Sequence, residues 1–78
     1  MHVLYDVRVL PGLRGLGRKA RAEALAALHA TERHPERGRP TRVLQEEGAL
    51  ALRTGVWSTL YTFDGDVLRI FSVIRIAI

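Results

Sequence analysis

The sequence contains no cysteine and no long apolar run, and each absence excludes a class of protein. Without thiols the chain has no disulfide bonds and no thiolate ligands for a metal. No apolar segment approaches the roughly 20 residues that a membrane-spanning helix needs. The N-terminal segment from Met1 to Asp6 lacks a basic stretch and has an early acidic residue, so it does not read as a signal peptide. These features predict a soluble, cytoplasmic protein without a membrane partner.

Lysine is nearly absent as well, although the chain is basic. Lys and Arg together number 12 against 8 acidic residues, a net charge of +4, and Lys19 is the single lysine. The guanidinium group matches the geometry of phosphate and carboxylate, so the composition favours an anionic partner, either nucleic acid or an acidic protein. A GC-rich genome would explain the arginine bias equally well.

The first half of the chain alternates between strand and helix patterns. Alternating apolar residues predict a strand over residues 2–9, which Pro11-Gly12 would end. Leu13 and Leu16 indicate a short helix, and an alanine-rich apolar stripe predicts a longer helix over residues 18–33. Together the two helical pieces form a hairpin.

The second half reads mainly as β-structure. It comprises a basic loop at residues 34–41, a short strand or extended segment at 42–44, a turn at 46–48, and strands over 50–61 and 67–78 around the Asp64-Gly65 turn. We therefore expect one α+β domain over residues 1–78. Its order would be an N-terminal strand, an α-helical hairpin and a three-stranded antiparallel meander, forming a small sheet with helices on one face.

Alternation along the last strand assigns its side chains to two faces. The face predicted to pack under the helices carries Leu68, Ile70, Ile74, Ile76 and Ile78. The opposite face would carry Arg69 and Arg75 together with Phe71. An open face with arginine and aromatic side chains suits RNA, because arginine binds phosphate and aromatic rings stack on bases. The alternative is that the aromatic residues belong to the core and the arginines only solvate the sheet.

The ordered set of motifs resembles the RelE/ParE superfamily of bacterial toxins over nearly the whole chain. The set comprises the first strand, the helix hairpin, His34-Pro35-Glu36-Arg37-Gly38-Arg39-Pro40, Leu52-Arg53-Thr54-Gly55-Val56-Trp57, Tyr61 six residues after that glycine, and Asp64-Gly65-Asp66-Val67. The resemblance implies the toxin of a toxin–antitoxin pair, neutralised by an antitoxin that wraps around it. RelE-type members cleave mRNA in the ribosomal A site, whereas ParE-type members inhibit DNA gyrase.

For the RelE type the resemblance implies a 2′-hydroxyl attack on phosphate, assisted by arginine. Arg75 and Arg53 match positions where the family has arginine, and Arg69 joins them as the third predicted catalytic residue. Two departures favour the gyrase type or a degenerate toxin that mainly binds its antitoxin. Ser58 stands where the family usually has arginine, and the chain lacks the family's tail after the last strand.

Four further basic residues are predicted to contact nucleic acid; they are Lys19, Arg37, Arg39 and Arg42. His2, His29 and His34 match no metal-binding spacing, so neither a metal nor another cofactor is expected. A plain interaction module that binds an acidic peptide along an unpaired strand edge is a further alternative.

Overall fold

The computed structural model describes residues 1–76, which form one five-stranded sheet with helices packed on one face. The strand order is β1-β5-β4-β3-β2, with β1 parallel to β5 and every other pair antiparallel. The elements are β1 (His2–Tyr5), α1 (Val9–Arg14), α2 (Arg18–Arg33), a 3₁₀ turn (Pro35–Arg37), β2 (Arg39–Pro40), β3 (Leu50–Thr54), β4 (Trp57–Asp64) and β5 (Val67–Arg75). The predicted α+β class and the β3-β4-β5 meander are confirmed. The predicted extension of the last strand over residues 77–78 lies outside the described residues.

The first strand is shorter than residues 2–9, because a turn at Asp6 ends it. The Asp6 carboxylate accepts the backbone N–H of Arg8 at 3.0 Å, and its carbonyl accepts that of Val9 at 3.0 Å. This side-chain turn competes with the β-ladder and starts α1 instead. Pro11 therefore does not end a strand. It lies in the first turn of α1, where its missing N–H leaves no helical bond unmade.

Helix α2 has the predicted bounds. Arg21 links it to the end of α1 and so holds the two helices at a fixed angle. The buried face of α2 carries Ala24, Ala27, Leu28 and Thr31. Arg21 donates to the carbonyl oxygens of Leu13 (3.2 Å), Arg14 (3.2 Å) and Leu16 (3.1 Å), which stand at the C-terminal end of α1. The guanidinium thereby satisfies acceptors that a helix end leaves without partners. Neither helix among residues 1–76 is long and apolar enough to cross a membrane.

The strand predicted over residues 50–61 is two strands joined by a tight turn. Gly55 adopts φ of 61°, the left-handed conformation that a two-residue hairpin turn requires. The turn pairs Thr54 with Trp57 and sends β4 back along β3. Gly55 therefore lies in a hairpin turn between two strands and not within a single strand.

A β-bulge lies in β5, and beyond it the side chains point to the opposite faces from those that simple alternation predicts. Leu60 pairs with Ser72 and Tyr61 with Ile70, so Phe71 is the extra residue. Leu68 and Ile70 are in the core as predicted, but Ile74 is 45% exposed. The assignment of Ile74 to the core face was therefore wrong, because simple alternation fails across a bulge.

The loop between α2 and β3 contains more structure than its composition suggested. Residues 39–40 form β2, which pairs with Leu50 and Ala51. Residues 42–44 are not a strand. Val43 instead begins a turn that Glu46 closes, with Gln45 at φ of 67°. This segment approaches the sheet, because Val43 lines a cavity together with Leu60 and Phe71, with residues of α1 and with the core residue Trp57.

The end of α2 is fastened to the sheet by Tyr61. Its side chain is fully buried, and its hydroxyl donates to the Pro35 carbonyl oxygen at 2.6 Å. The ring lies so close to Gly38 that a Cβ there would overlap the hydroxyl and stand 2.7 Å from Cζ. Gly38 is therefore required for its small size rather than for its backbone conformation.

Replacement of Gly38 by alanine should destabilise the protein strongly. We expect Gly38→Ala to lower the free energy of unfolding by about 1–3 kcal/mol, because a buried ring must move. Gly12→Ala is the matched control, since its Cβ would meet no atom within 4 Å. The control should leave stability unchanged or raise it, because alanine is the better helix former. Thermal unfolding followed by circular dichroism measures both, and equal midpoints would contradict the role of Gly38.

Candidate nucleic-acid interface

The three arginines predicted to be catalytic do not converge. Cross-strand partners share a face, so Arg53 (opposite Ser58) and Arg69 (opposite Thr62) lie on the face away from the helices. Four residues of β4 separate these two positions, which is about 13 Å along the strand. Arg75 pairs with Trp57, a core residue, and so lies on the helix-covered face. The expectation that Arg69 and Arg75 share one face was wrong, and the Phe71 bulge is the reason.

Arg69 is held by contacts within the protein. One of its terminal nitrogens donates to Glu46 Oε2 at 3.0 Å, and its guanidinium carbon lies 5.0 Å from the centre of the Phe71 ring. Both side chains of the ion pair are partly shielded from water. Arg69 therefore anchors the 43–46 turn to the open face of the sheet.

Arg75 stands at the end of β5 and is exposed. Within residues 1–76 its side chain makes no hydrogen bond or ion pair. Its partner Trp57 is buried and donates from the indole nitrogen to Glu23 Oε2 at 3.2 Å. Of the three predicted catalytic arginines, Arg75 has the guanidinium least engaged by the protein.

A basic cleft lies at the outer edge of β3, and sequence reasoning found only part of it. Its volume is about 430 Å³, and its charged or titratable lining residues are His34, Arg37, Arg39 and Arg53. Two predicted nucleic-acid-binding residues thus meet one predicted catalytic residue. His34 was weighed only as a metal ligand, although the basic run over residues 34–39 was the signal that could have found it.

The other two predicted nucleic-acid-binding residues lie elsewhere. Lys19 is in the first turn of α2, whereas Ala30 of that helix lines the cleft. The eleven-residue separation corresponds to about 16 Å along the helix. Arg42 lines a separate shallow depression formed by the 41–48 segment itself. The structure therefore divides the four residues among three places.

Tyrosine and histidine side chains could transfer protons during RNA cleavage, and the structure places them in different surroundings. Tyr61 is buried, and burial raises the pKa of its phenol, so it stays protonated and structural. The Tyr5 hydroxyl donates to the Glu32 carboxylate. His34 is the histidine that lines the cleft, with Nδ1 3.5 Å from Glu36 Oε1. Among residues 1–76 no group of three or more His, Asp or Glu side chains is placed to hold a metal ion.

Solved structures of RelE toxins share this architecture. A chain of the RelBE2 toxin–antitoxin complex of Mycobacterium tuberculosis matches with a TM-score of 0.74 and 24% identity, covering 95% of each chain. The isolated E. coli RelE toxin matches with a TM-score of 0.66 and 17% identity, over 99% of this chain and 85% of that one. A chain of the RelB–RelE complex of Methanococcus jannaschii matches with a TM-score of 0.58 and 12% identity, over 92% and 88%.

The protein has the RelE toxin fold. No protein-family model and no curated protein matches the sequence. The resemblance read from the ordered motifs is thus confirmed at the level of the fold, at identities where individual residues need not correspond. Ser58 lies on the open face of this RelE-like sheet beside Arg53.

A Tyr61→Phe variant tests whether this tyrosine is structural. It leaves the buried Pro35 carbonyl oxygen without its donor, so we expect the free energy of unfolding at neutral pH to fall by about 1–2 kcal/mol. Because the folded state raises the phenol pKa above its ordinary value of 10.0, the wild type should lose stability as the pH rises through that raised value. The variant should lack this alkaline loss. Urea unfolding at neutral pH and above pH 10 measures both effects, and identical pH profiles would contradict the assignment.

An Arg69→Ala variant tests whether this arginine anchors the 43–46 turn. We expect faster hydrogen exchange at the Glu46 amide, which donates to the Val43 carbonyl oxygen at 3.1 Å. Stability should fall by at most about 1 kcal/mol, because the ion pair is partly exposed. Glu46→Gln should have the same effect, and combining the two changes should add little. Arg14→Ala is the control, and unchanged exchange in the Arg69 variant would contradict the anchoring role.

Proposed function

We propose that this chain is the toxin of a bacterial toxin–antitoxin pair. The observation that carries the proposal is the fold match to the isolated E. coli RelE toxin over 99% of this chain. Because that structure is a toxin without its antitoxin, the likeness is to the toxin half of such a pair. The net charge of +4 is compatible with an anionic target and with an acidic antitoxin segment.

The proposed action is inhibition of translation in the cytoplasm by cleavage of mRNA on the ribosome. Cleavage would proceed by attack of an RNA 2′-hydroxyl on the adjacent phosphorus, with departure of the 5′-oxygen. Arginine contributes by stabilising the charge that develops on the phosphate oxygens. Arg75 is the proposed stabiliser, since its guanidinium is exposed and unengaged among residues 1–76. A ribosomal group would take the proton from the 2′-hydroxyl and supply one to the departing 5′-oxygen.

The second candidate is a gyrase inhibitor, or a catalytically degenerate toxin that mainly binds its antitoxin. The dispersal of Arg53, Arg69 and Arg75 over two faces favours it, because phosphate-transfer chemistry requires charges that converge on one group. Ser58, in place of the family's usual arginine, favours it as well.

The proposed antitoxin would cover exposed apolar surface around β1. This strand is an edge of the sheet, and edges with unpaired backbone groups accept further strands. Leu4 on β1 is 53% exposed, Val7 in the following turn 87% and Leu10 on α1 57%. An amphipathic segment with acidic residues would suit both this surface and the basic charge of the domain.

Induced expression in a bacterial host should arrest growth, and a reconstituted translation reaction should locate the target. We expect purified protein to cut reporter mRNA only when ribosomes are present. Arg75→Ala should slow the cleavage about 100-fold, as expected for loss of one group that stabilises developing charge. Arg14→Ala, which removes the same charge from exposed α1, should cleave at the wild-type rate.

A supercoiling assay with purified gyrase separates the two modes. If the mRNA stays intact and supercoiling is blocked, gyrase inhibition replaces mRNA cleavage as the proposed action. Normal growth on induction, with neither activity in vitro, would contradict the toxin proposal itself.

A further inference from the structure

The cleft at the outer edge of β3 has the composition of an anion site. Arg37 reaches it from the 3₁₀ turn, Arg39 from β2 and Arg53 from β3. The other residues that line it are His34, Ala30, Ala51, Leu52 and Thr54, so no acidic side chain of residues 1–76 lines the cleft. All three arginines are exposed, so water and salt weaken their mutual repulsion, whereas an anion bound among them would be attracted by each. Segments far apart in the sequence thus bring positive charge to one small volume.

Part of the cleft is preorganised. Arg53 donates from Nε to the Gly55 carbonyl oxygen at 3.0 Å, which fixes the guanidinium and leaves its two terminal nitrogens for another acceptor. The turn carrying Arg37 is held by the bond from Tyr61 to Pro35, at 2.6 Å. A site held in place in this way binds an anion with less loss of side-chain freedom.

The backbone of β3 adds a donor to the same cleft. Thr41 donates to the Ala49 carbonyl oxygen at 3.0 Å, and Arg39 stands opposite Ala51. In an antiparallel pair every second residue of a strand directs its N–H and C=O groups to the same side. Ala49 and Ala51 face the side of β2, so the main-chain N–H and C=O groups of Arg53 point to that side as well, beyond the end of β2. The cleft therefore combines arginine forks with a main-chain N–H.

We propose that this cleft binds a phosphate group of a single-stranded RNA backbone. Arginine binds phosphate oxygens in pairs, and three arginines can share one phosphodiester or two successive ones. The lining contains no aromatic ring on which a base could stack, so recognition would be of the backbone and not of the sequence. The choice of RNA among phosphate-bearing ligands rests on the proposed function, whereas the anion site rests on the cleft alone.

An acidic peptide suits the cleft less well. Peptides commonly bind a sheet edge by adding a strand, which needs a run of unpaired backbone groups. Here β2 occupies the edge up to Ala51, and only residues 52–54 continue beyond it. That length presents the outward groups of Arg53 alone, which is too short to template a strand. A compact anion, in contrast, can contact Arg37, Arg39 and Arg53 at once.

The test is the salt dependence of RNA binding, measured without ribosomes or gyrase. Fluorescence anisotropy with a labelled ten-nucleotide RNA gives the affinity at several salt concentrations. We expect the combined Arg37→Ala and Arg39→Ala variant to bind about tenfold more weakly at moderate salt. The slope of log affinity against log salt should fall by about 1.4, or about 0.7 for each lost phosphate contact.

The combined Arg14→Ala and Arg18→Ala variant is the control, since it removes equal charge from α1 and the start of α2. It should keep the wild-type slope. Equal slopes for the two double variants would overturn the proposal, because binding would then reflect net charge alone. A ten-residue glutamate peptide that binds through Arg37 and Arg39 at least as tightly as the RNA would assign the cleft to an acidic protein and overturn it too.

A second measurement separates this inference from the proposed function. Titration with inorganic pyrophosphate, followed by amide resonances, should shift residues 34–39 and 53–54 and leave α1 unchanged. Shifts at these residues with the predicted change in RNA slope would support the site even if the protein neither cleaves mRNA nor affects gyrase. Active translation inhibition with no shift and no change in slope would overturn the site and leave the toxin proposal standing.

Discussion

The contact between Tyr61 and the Pro35–Gly38 turn is the constraint on which the rest of the structure depends. Tyr61 is fully buried on the central strand β4, and it joins the sheet both to the end of α2 and to the segment leading into β2. A buried hydroxyl needs a partner, and the Pro35 carbonyl oxygen supplies one only if the turn approaches closely. Gly38 makes that approach sterically feasible. The positions of Arg37 and Arg39 in the basic cleft follow from this packing.

The bulge at Phe71 has the second largest consequence. β5 stays paired with β4 on both sides of the bulge. Beyond Phe71, however, each side chain points to the face opposite to the one that simple alternation from Ile70 predicts. Arg69 thereby stays on the open face, where Glu46 holds it, and Arg75 emerges beside Trp57 instead. One inserted residue thus separates two arginines that strict alternation would place together. This separation is the structural basis for weighing gyrase inhibition against RNA cleavage.

The sequence sufficed for the fold class, for α2 and for the meander, because these depend on patterns that extend over many residues. The errors lie where one residue decides the outcome. Asp6 ends β1 through a local side-chain bond, Gly55 turns the chain inside an apparently continuous strand, and Phe71 interrupts the alternation. The prediction of the catalytic site was the least accurate, since two of its three residues, Arg69 and Arg75, depend on the face assignment of β5. The basic cleft could not be predicted as a unit, because its arginines come together only through the pairing of β2 with β3.

The arginine-rich composition therefore has more than one physical origin. Some guanidinium groups complete the fold: Arg8 pairs with Asp6, Arg21 binds the carbonyls at the end of α1, and Arg69 binds Glu46. At Arg21 a planar group with several donors does what lysine cannot, because it reaches three carbonyl oxygens at once. The arginines of the cleft instead line one small volume that no acidic side chain of residues 1–76 lines with them. Such a concentration of one sign of charge attracts an anion, so these arginines suit a binding role that net charge alone would not indicate.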